Sequence, residues 1–156
     1  MADLKLIAHR GLLEGPNGDL ENNPEQITRS RSLGYDSEID LWRIQGALWL
    51  GHDSPRYQIN EQFLYTIHAW IHAKNIDALY WLTTTNNSLK YFWHQGDDCT
   101  LTSNNYIWTY PEKPLNERSI RLMPEWHDPE FKTVKDNVCY AICTDHVLRI
   151  QNLLNG

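Results

Sequence analysis

The chain has 156 residues, 41% hydrophobic and 22% charged, enough for one domain spanning 1–156 with a core of its own. Its formal net charge is -6 and it has no run of Lys or Arg. That argues against nucleic acid or an anionic membrane surface as partner, since both need clustered cations. No stretch approaches the roughly 18 apolar residues of a membrane span, and "MADLKLIA" lacks the apolar core of a secretory signal, so a cytoplasmic location is expected. Cys99, Cys139 and Cys143, an odd count without such a signal, are expected to be reduced. Cys139 and Cys143 read either as small buried hydrophobes or as a metal or redox pair.

In chain order, "LKLIAH" (4–9) is an apolar run that predicts a first strand, and "LEGPNGDLENNPE" (13–25) is a turn-rich loop. A helix is predicted from Pro24 to Leu33, with Pro at an early position and Gly34 as its stop. "YDSEIDL" (35–41) predicts strand two, and "LWRIQGALWLGHD" (41–53) a hairpin about Gln45-Gly46. "INEQFLYTIH" (59–68) has helical spacing, "AWIHAKN" (69–75) reads as strand three and "IDALYWLTT" (76–84) as a helix. "LKYFWHQ" (89–95), "YIWTYP" (106–111) and "SIRLMPE" (119–125) are three further strands. A short helix is expected near 128–136, a last strand at "VCYAICTD" (138–145) and a closing helix over 146–156.

Strand followed by helix, repeated, predicts an α/β fold with a mostly parallel sheet. The strand count suggests a (β/α) barrel of TIM type, but a full one needs about 250 residues. The expected architecture is therefore a reduced or partly open barrel, with an open doubly wound sheet as the rival. Uncovered strand edges in such a barrel would favour a homodimer.

Polar residues collect where these strands end. His9 closes strand one, Glu38 and Asp40 close strand two on one face, and His52-Asp53 close the hairpin. His72 and Lys74 close strand three, while His94, Glu125 and Asp145 fall at later strand ends. In a parallel α/β fold these ends share one rim, where ligands bind. His68, His127 and His146 are expected at the surface or at caps, and the tryptophans mainly in the core.

"IAHRG" (7–11), "LENNPE" (20–25), "YDSEIDL" (35–41) and "LWLGHD" (48–53) follow the order and approximate spacing of a known pattern: His-Arg-Gly, Glu-Asn, Glu-x-Asp, His-Asp. With them the chain resembles the glycerophosphodiester phosphodiesterases, members of the PLC-like phosphodiesterase superfamily. "IWTYP" (107–111) and "AICTD" (141–145) resemble two later strands of that family. The resemblance implies a distorted (β/α) barrel and metal-assisted hydrolysis of a small-molecule glycerophosphodiester to glycerol 3-phosphate and an alcohol. It implies His9 and His52 as the acid–base pair, Arg10 as a phosphate contact, and Glu38 and Asp40 as ligands of one divalent cation, magnesium or calcium. Trp108 is expected near the substrate on the same ground.

The sequence departs from the family at "AWIHAKN". His72 stands where a third, glutamate ligand is usual, with Lys74 in the lysine's place. An imidazole for a carboxylate removes one negative charge, so such a site leans toward manganese, zinc or iron. His72 then either ligates the metal or hydrogen-bonds the substrate. Glu21 is expected to pair with Arg10 or to tie down its loop rather than ligate, and Asp53 to sit beside the site.

The residue types suit the chemistry in their own right. A phosphodiester is an anion whose oxygens repel nucleophiles. A cation relieves that charge, and Arg10 with Lys74 can hold further oxygens. One imidazole can take a proton from the attacking hydroxyl or water and another can give one to the leaving alkoxide, imidazole titrating near pH 6.5. Attack by water and prior closure to a cyclic phosphate remain alternatives. Two rivals stand beside hydrolysis of a small glycerophosphodiester. One is a binding module that keeps the phosphate pocket without turnover. The other is an enzyme acting on a lipid or a polymer-linked glycerol phosphate.

Overall fold

The computed structural model describes residues 3–85, 88–136 and 138–156. Ten strands form one sheet: β1 Lys5–His9, β2 Asp36–Ile44, β3 Ala47–Leu50, β4 Tyr57–Ile59, β5 Ala69–Ala73, β6 Lys90–Phe92, β7 Cys99–Leu101, β8 Ile107–Thr109, β9 Ser119–Leu122 and β10 Ala141–Thr144. Among the described residues the four α-helices are α1 Pro24–Ser32, α2 Glu61–Thr66, α3 Ile76–Thr84 and α4 Val147–Asn155. Asparagine caps open α1, α2 and α3: Asn23, Asn60 and Asn75 each accept a main-chain N–H from the first turn.

Seven strands run parallel in the order β6-β5-β2-β1-β10-β9-β8. The last strand lies beside the first, and the others follow chain order in both directions from that junction. A doubly wound sheet would instead reverse its strand order at a switch point. The sheet is curled into a partial barrel. Ring contacts between distant members of the order show the curl: Phe92 of β6 stacks on Trp108 of β8 at 4.5 Å, and Trp70 of β5 lies 6.3 Å from Tyr140 beside β10. Across the gap between β6 and β8, Ser103 N–H donates to Tyr91 O at 2.8 Å.

Alternation along the strands separates two faces. Ile7, Trp70, Phe92, Trp108, Ile120, Leu122 and Cys143 pack together on the concave side. On the convex side, Ile39, Leu41, Ile71 and Ala73 meet α1, α2 and α3 through Ile27, Leu64 and Leu82. Leu6, Ala8 and Ile142 meet Val147 and Ile150 of α4. Cys143, fully buried in this interior, is the small hydrophobe of the first reading; burial and the nearby acids raise its pKa well above the ordinary thiol value.

The structure corrects several expected boundaries. β2 does not stop at Leu41 but runs on to Ile44 into the hairpin with β3, so Glu38 and Asp40 lie within a strand. They still reach the rim because β1 ends at His9, opposite Glu38. The strand predicted at 89–95 is reduced to β6, and His94 lies beyond it. The helix expected near 128–136 is reduced to a 3-10 turn at Val134–Asp136, and the strand predicted at 119–125 ends at Leu122, with Pro124–Trp126 in a 3-10 turn. β4 and β7, three residues each, escaped the reading because so short a run has no visible period.

Gly51, at the exit of β3, has φ +158°, and a Cβ there would overlap the Ser54 carbonyl oxygen. Gly51→Ala is therefore expected to cost about 1–3 kcal/mol by chemical denaturation and to displace the turn bearing His52. Unchanged stability would contradict the tight turn.

Candidate functional site

The site begins where β1 turns away from the sheet. Arg10 and Gly11 take left-handed conformations (φ 53° and 79°), and Gly11 N–H donates to Ala8 O at 3.1 Å. A side chain at Gly11 would crowd Ile27 of α1, its Cβ falling 2.9 Å from Ile27 Cγ1. The turn aims the Arg10 main-chain N–H at Glu38 Oε2, 3.1 Å away. The Arg10 guanidinium donates to Glu21 Oε2 at 3.0 Å, and its Nε lies 3.7 Å from Asp40 Oδ2 without a hydrogen bond. Glu21 thus pairs with Arg10, one of the two roles its position suggested.

Glu38 and Asp40, two apart on β2, face the same side and are both buried. Asn22, itself buried with φ 57°, clamps Asp40 twice: its amide donates to Oδ2 at 2.9 Å, and its carbonyl accepts from Asp40 N–H at 2.9 Å. Asp40 Oδ1 makes no hydrogen bond, although His72 Nδ1 lies 3.3 Å and Lys74 Nζ 3.9 Å away.

His72 explains that loose end. Its Nε2 lies 2.9 Å from the His94 carbonyl oxygen, which can only accept, so Nε2 carries the proton. In the neutral ring Nδ1 then turns a lone pair toward the unbonded Asp40 oxygen. Two electron-rich atoms 3.3 Å apart repel unless a positive centre, proton or metal, joins them. One ligand atom each from Glu38, Asp40 and His72 lies within 4.8 Å of the others, the one such group among the described residues. The set fits a divalent cation: two carboxylates, and an imidazole whose far nitrogen is held by a carbonyl, the usual orientation of a ligating histidine. Phe92 stacks on the His72 ring at 5.1 Å, and Trp108 stacks on Phe92.

The buried charges divide in opposite directions. Burial, reinforced by the charge of Asp40, pushes the Glu38 carboxyl up to about 7. Burial also presses on Asp40, but His72, Asn22 and Lys74 outweigh it and hold that carboxyl below its ordinary value. Burial opposes a charge on His9, yet the hydrogen bond it donates to Asp145 and the charges of Glu38 and Asp145 raise its pKa.

His9 Nδ1 lies 2.7 Å from Asp145 Oδ1, while its Nε2 faces Glu38 at 3.8 Å. Asp145 is held in turn: its N–H and the Thr144 hydroxyl both donate to Glu125 Oε1, at 3.0 and 2.9 Å.

His9, Arg10, Glu21, Glu38, Asp40, His72 and Lys74 therefore form one connected cluster. His52 stands beside it rather than in it. Gly51 N–H donates to Asp40 O at 3.2 Å, which leaves the next residue at the rim. The half-exposed His52 ring bonds Asp53 at 2.8 Å and no other side chain among the described residues. Trp108 is 3% exposed, its strand position facing the filled interior, and it stacks on the Phe92 ring that lies against His72. Asn22 was not among the expected site residues, and Asp145 was expected only as an acid at the strand-end rim, with no partner assigned. The "LENNPE" and "AICTD" segments carried them, but no local spacing marks which acid an asparagine will clamp or which histidine an aspartate will meet. No family model, curated protein or solved structure matches the chain.

In the metal-free protein a raised Glu38 pKa costs stability as pH climbs from 4.5 through about 7, because the unfolded carboxyl ionises freely in water. Glu38→Gln removes that cost. Its urea midpoint is expected to exceed that of the wild type at pH 8, by an amount that shrinks toward pH 5. A wild type whose stability relative to Glu38→Gln ignores pH would contradict the burial of that charge.

Proposed function

We propose that this chain is a metal-dependent phosphodiesterase that hydrolyses a glycerophosphodiester, on a reduced TIM-type barrel of the PLC-like kind. The observation that carries the reading is the convergence of Asp40, His72 and Glu38: an Asp40 oxygen without a hydrogen bond lies 3.3 Å from His72 Nδ1, and one ligand atom of each of the three lies within 4.8 Å of the others. Glu38, Asp40 and His72 would hold one divalent cation. When bound, it would neutralise a phosphoryl oxygen and make phosphorus easier to attack. The single imidazole among two carboxylates favours manganese or zinc over calcium, with magnesium between them.

The chain's own groups supply the rest. Arg10, whose Nε is unbonded, and Lys74, whose ammonium lies at the rim of the carboxylates, offer donors to the remaining phosphoryl oxygens. Water supplies the new P–O bond, the P–O bond to the alcohol breaks, and the alkoxide must gain a proton as it leaves. Of the two imidazoles, His9 is buried and braced by Asp145, so one tautomer is fixed and only Nε2 is free to exchange a proton toward the site. His52, half-exposed and braced by Asp53, is suited to exchange with solvent.

The test is release of glycerol 3-phosphate from a panel of glycerophosphodiesters, followed by mass spectrometry, with the metal-stripped protein and with magnesium, calcium, manganese or zinc restored. Turnover is expected only with metal, and His9→Ala should lower it by about 10²–10⁴-fold. No turnover with any metal, or an unchanged rate in His9→Ala, refutes the reading. Mass spectrometry would also reveal a lipid or polymer-linked substrate. Asp145→Asn is expected to move the His9 limb of the kcat/KM–pH profile to lower pH, since Asp145 stabilises the imidazolium. A limb that stays in place would remove Asp145 from the mechanism.

The position of His52, outside the bonded cluster, favours one alternative: a phosphate-binding module without turnover. Calorimetric binding of glycerol phosphate with no product from any diester would select it.

A further inference from the structure

β9 and β10 pair in parallel only as far as Leu122, which lies opposite Cys143. Met123 N–H still donates to Cys143 O at 2.8 Å, but Met123 is left-handed (φ 44°) and the chain turns away into Pro124–Trp126. In a longer parallel ladder the Met123 carbonyl would accept the Asp145 N–H. It accepts from Trp126 N–H instead, at 3.1 Å. Asp145, the residue just past β10, therefore has no strand on that side to hold its main chain.

The Glu125 side chain takes the place of that strand. Its Oε1 accepts the Asp145 N–H at 3.0 Å and the Thr144 hydroxyl at 2.9 Å. His146 N–H donates to Thr144 Oγ1 at 3.0 Å, which leaves the hydroxyl proton free to point at Glu125. On the other side of Asp145, its carbonyl accepts from Gly15 N–H at 2.8 Å, out of the loop that follows β1. Held through both peptide groups, Asp145 sets Oδ1 2.7 Å from His9 Nδ1. An ionised carboxylate can only accept, so Nδ1 carries the proton and the Nε2 lone pair is left on the side of Glu38. Glu125 Oε2 is shielded from solvent and has no hydrogen bond among the described residues, so one oxygen of this carboxylate does all its bonding.

We propose that Glu125 is a positioning residue for the hydrolysis: it holds Asp145 against His9 Nδ1 and thereby keeps the His9 ring in one tautomer and one orientation. The part played by His9 rests on the phosphodiesterase reading above. Glu125 acts on that ring only through Asp145.

The signature is the His9 Nδ1 proton, read by NMR in the metal-free protein. A ring N–H donated to a carboxylate at 2.7 Å is expected far downfield, slow to exchange and absent from His9→Ala. Glu125→Ala should remove that signal. It should also lower kcat of the metal-loaded protein about tenfold or more, with KM within about twofold of the wild type. Glu125→Gln keeps a carbonyl oxygen in the place of Oε1, so it should keep both the signal and kcat. In an Asp145→Asn background, Glu125→Ala should lower kcat no further. Should Glu125→Ala fail to fold, Glu125→Asp, one methylene too short to reach, is expected to lose the signal in its stead.

A wild type without the downfield proton, or a folded Glu125→Ala or Glu125→Asp that keeps it, overturns the assignment. So does Glu125→Gln behaving as Glu125→Ala, or a loss in the double variant equal to the product of the two single losses. The proton signal needs no turnover. A wild type that hydrolyses no diester therefore overturns the phosphodiesterase reading, while the signal still decides whether Glu125 holds His9.

Discussion

Two carboxylates buried side by side on one strand set the terms for the rest of the molecule. Glu38 and Asp40 are 3% and 1% exposed and face the same way, so each raises the cost of charging the other. The protein answers by treating them unequally. Asp40 is surrounded by the Asn22 amide, Arg10, His72 and Lys74 and stays ionised. Glu38, facing a main-chain N–H and a more distant His9, is left near the balance between its two protonation states. A divalent cation, if bound here as proposed, would let both ionise. The unbonded Asp40 oxygen and the oriented His72 lone pair stand where such a charge would be held.

This arrangement depends on the curl of the sheet. The groups that meet Asp40 come from the loop after β1, from the end of β5 and from the residue beyond it. Each element contributes only one or two side chains. Parallel pairing of β2 with β1 and β5 sets Glu38 opposite His9 and Asp40 opposite His72 in register. A slip of one residue would turn those side chains to the convex face, where Ile39 and Ile71 now pack against helices. The apolar interior below keeps the rim in place: Trp108 and Phe92 form a stacked support under His72.

Much of this was legible in the residues. Alternation in "YDSEIDL" put both acids on one face, and the abrupt end of "LKLIAH" at His-Arg-Gly marked a strand exit with a left-handed turn. α3 runs over the residues its periodicity predicted. Asp145 was legible only as one of the rim acids, without its partner, and Asn22 was not legible as a member of the site at all, although both sit in segments read correctly as a strand end and a loop. Their partners lie 136 and 18 residues away, and no local spacing encodes such a meeting. Trp108 was read with the other tryptophans as mainly core and, by resemblance alone, as near the substrate; its ring contacts with Trp70 and Phe92 are set by the curl of the sheet, which no local pattern encodes.

The sequence by itself determined that strands alternate with helices and that the chain carries its acids and imidazoles at strand exits. These are local properties, set by backbone sterics and by a side-chain period of two or 3.6 residues. Tertiary structure alone decided which acid would be charged, that Asp145 rather than Asp53 would brace His9, and that His52 would stand apart. Those outcomes turn on burial and on distances of a few ångströms between segments far apart in the chain, and they exist only once the sheet has curled and excluded water.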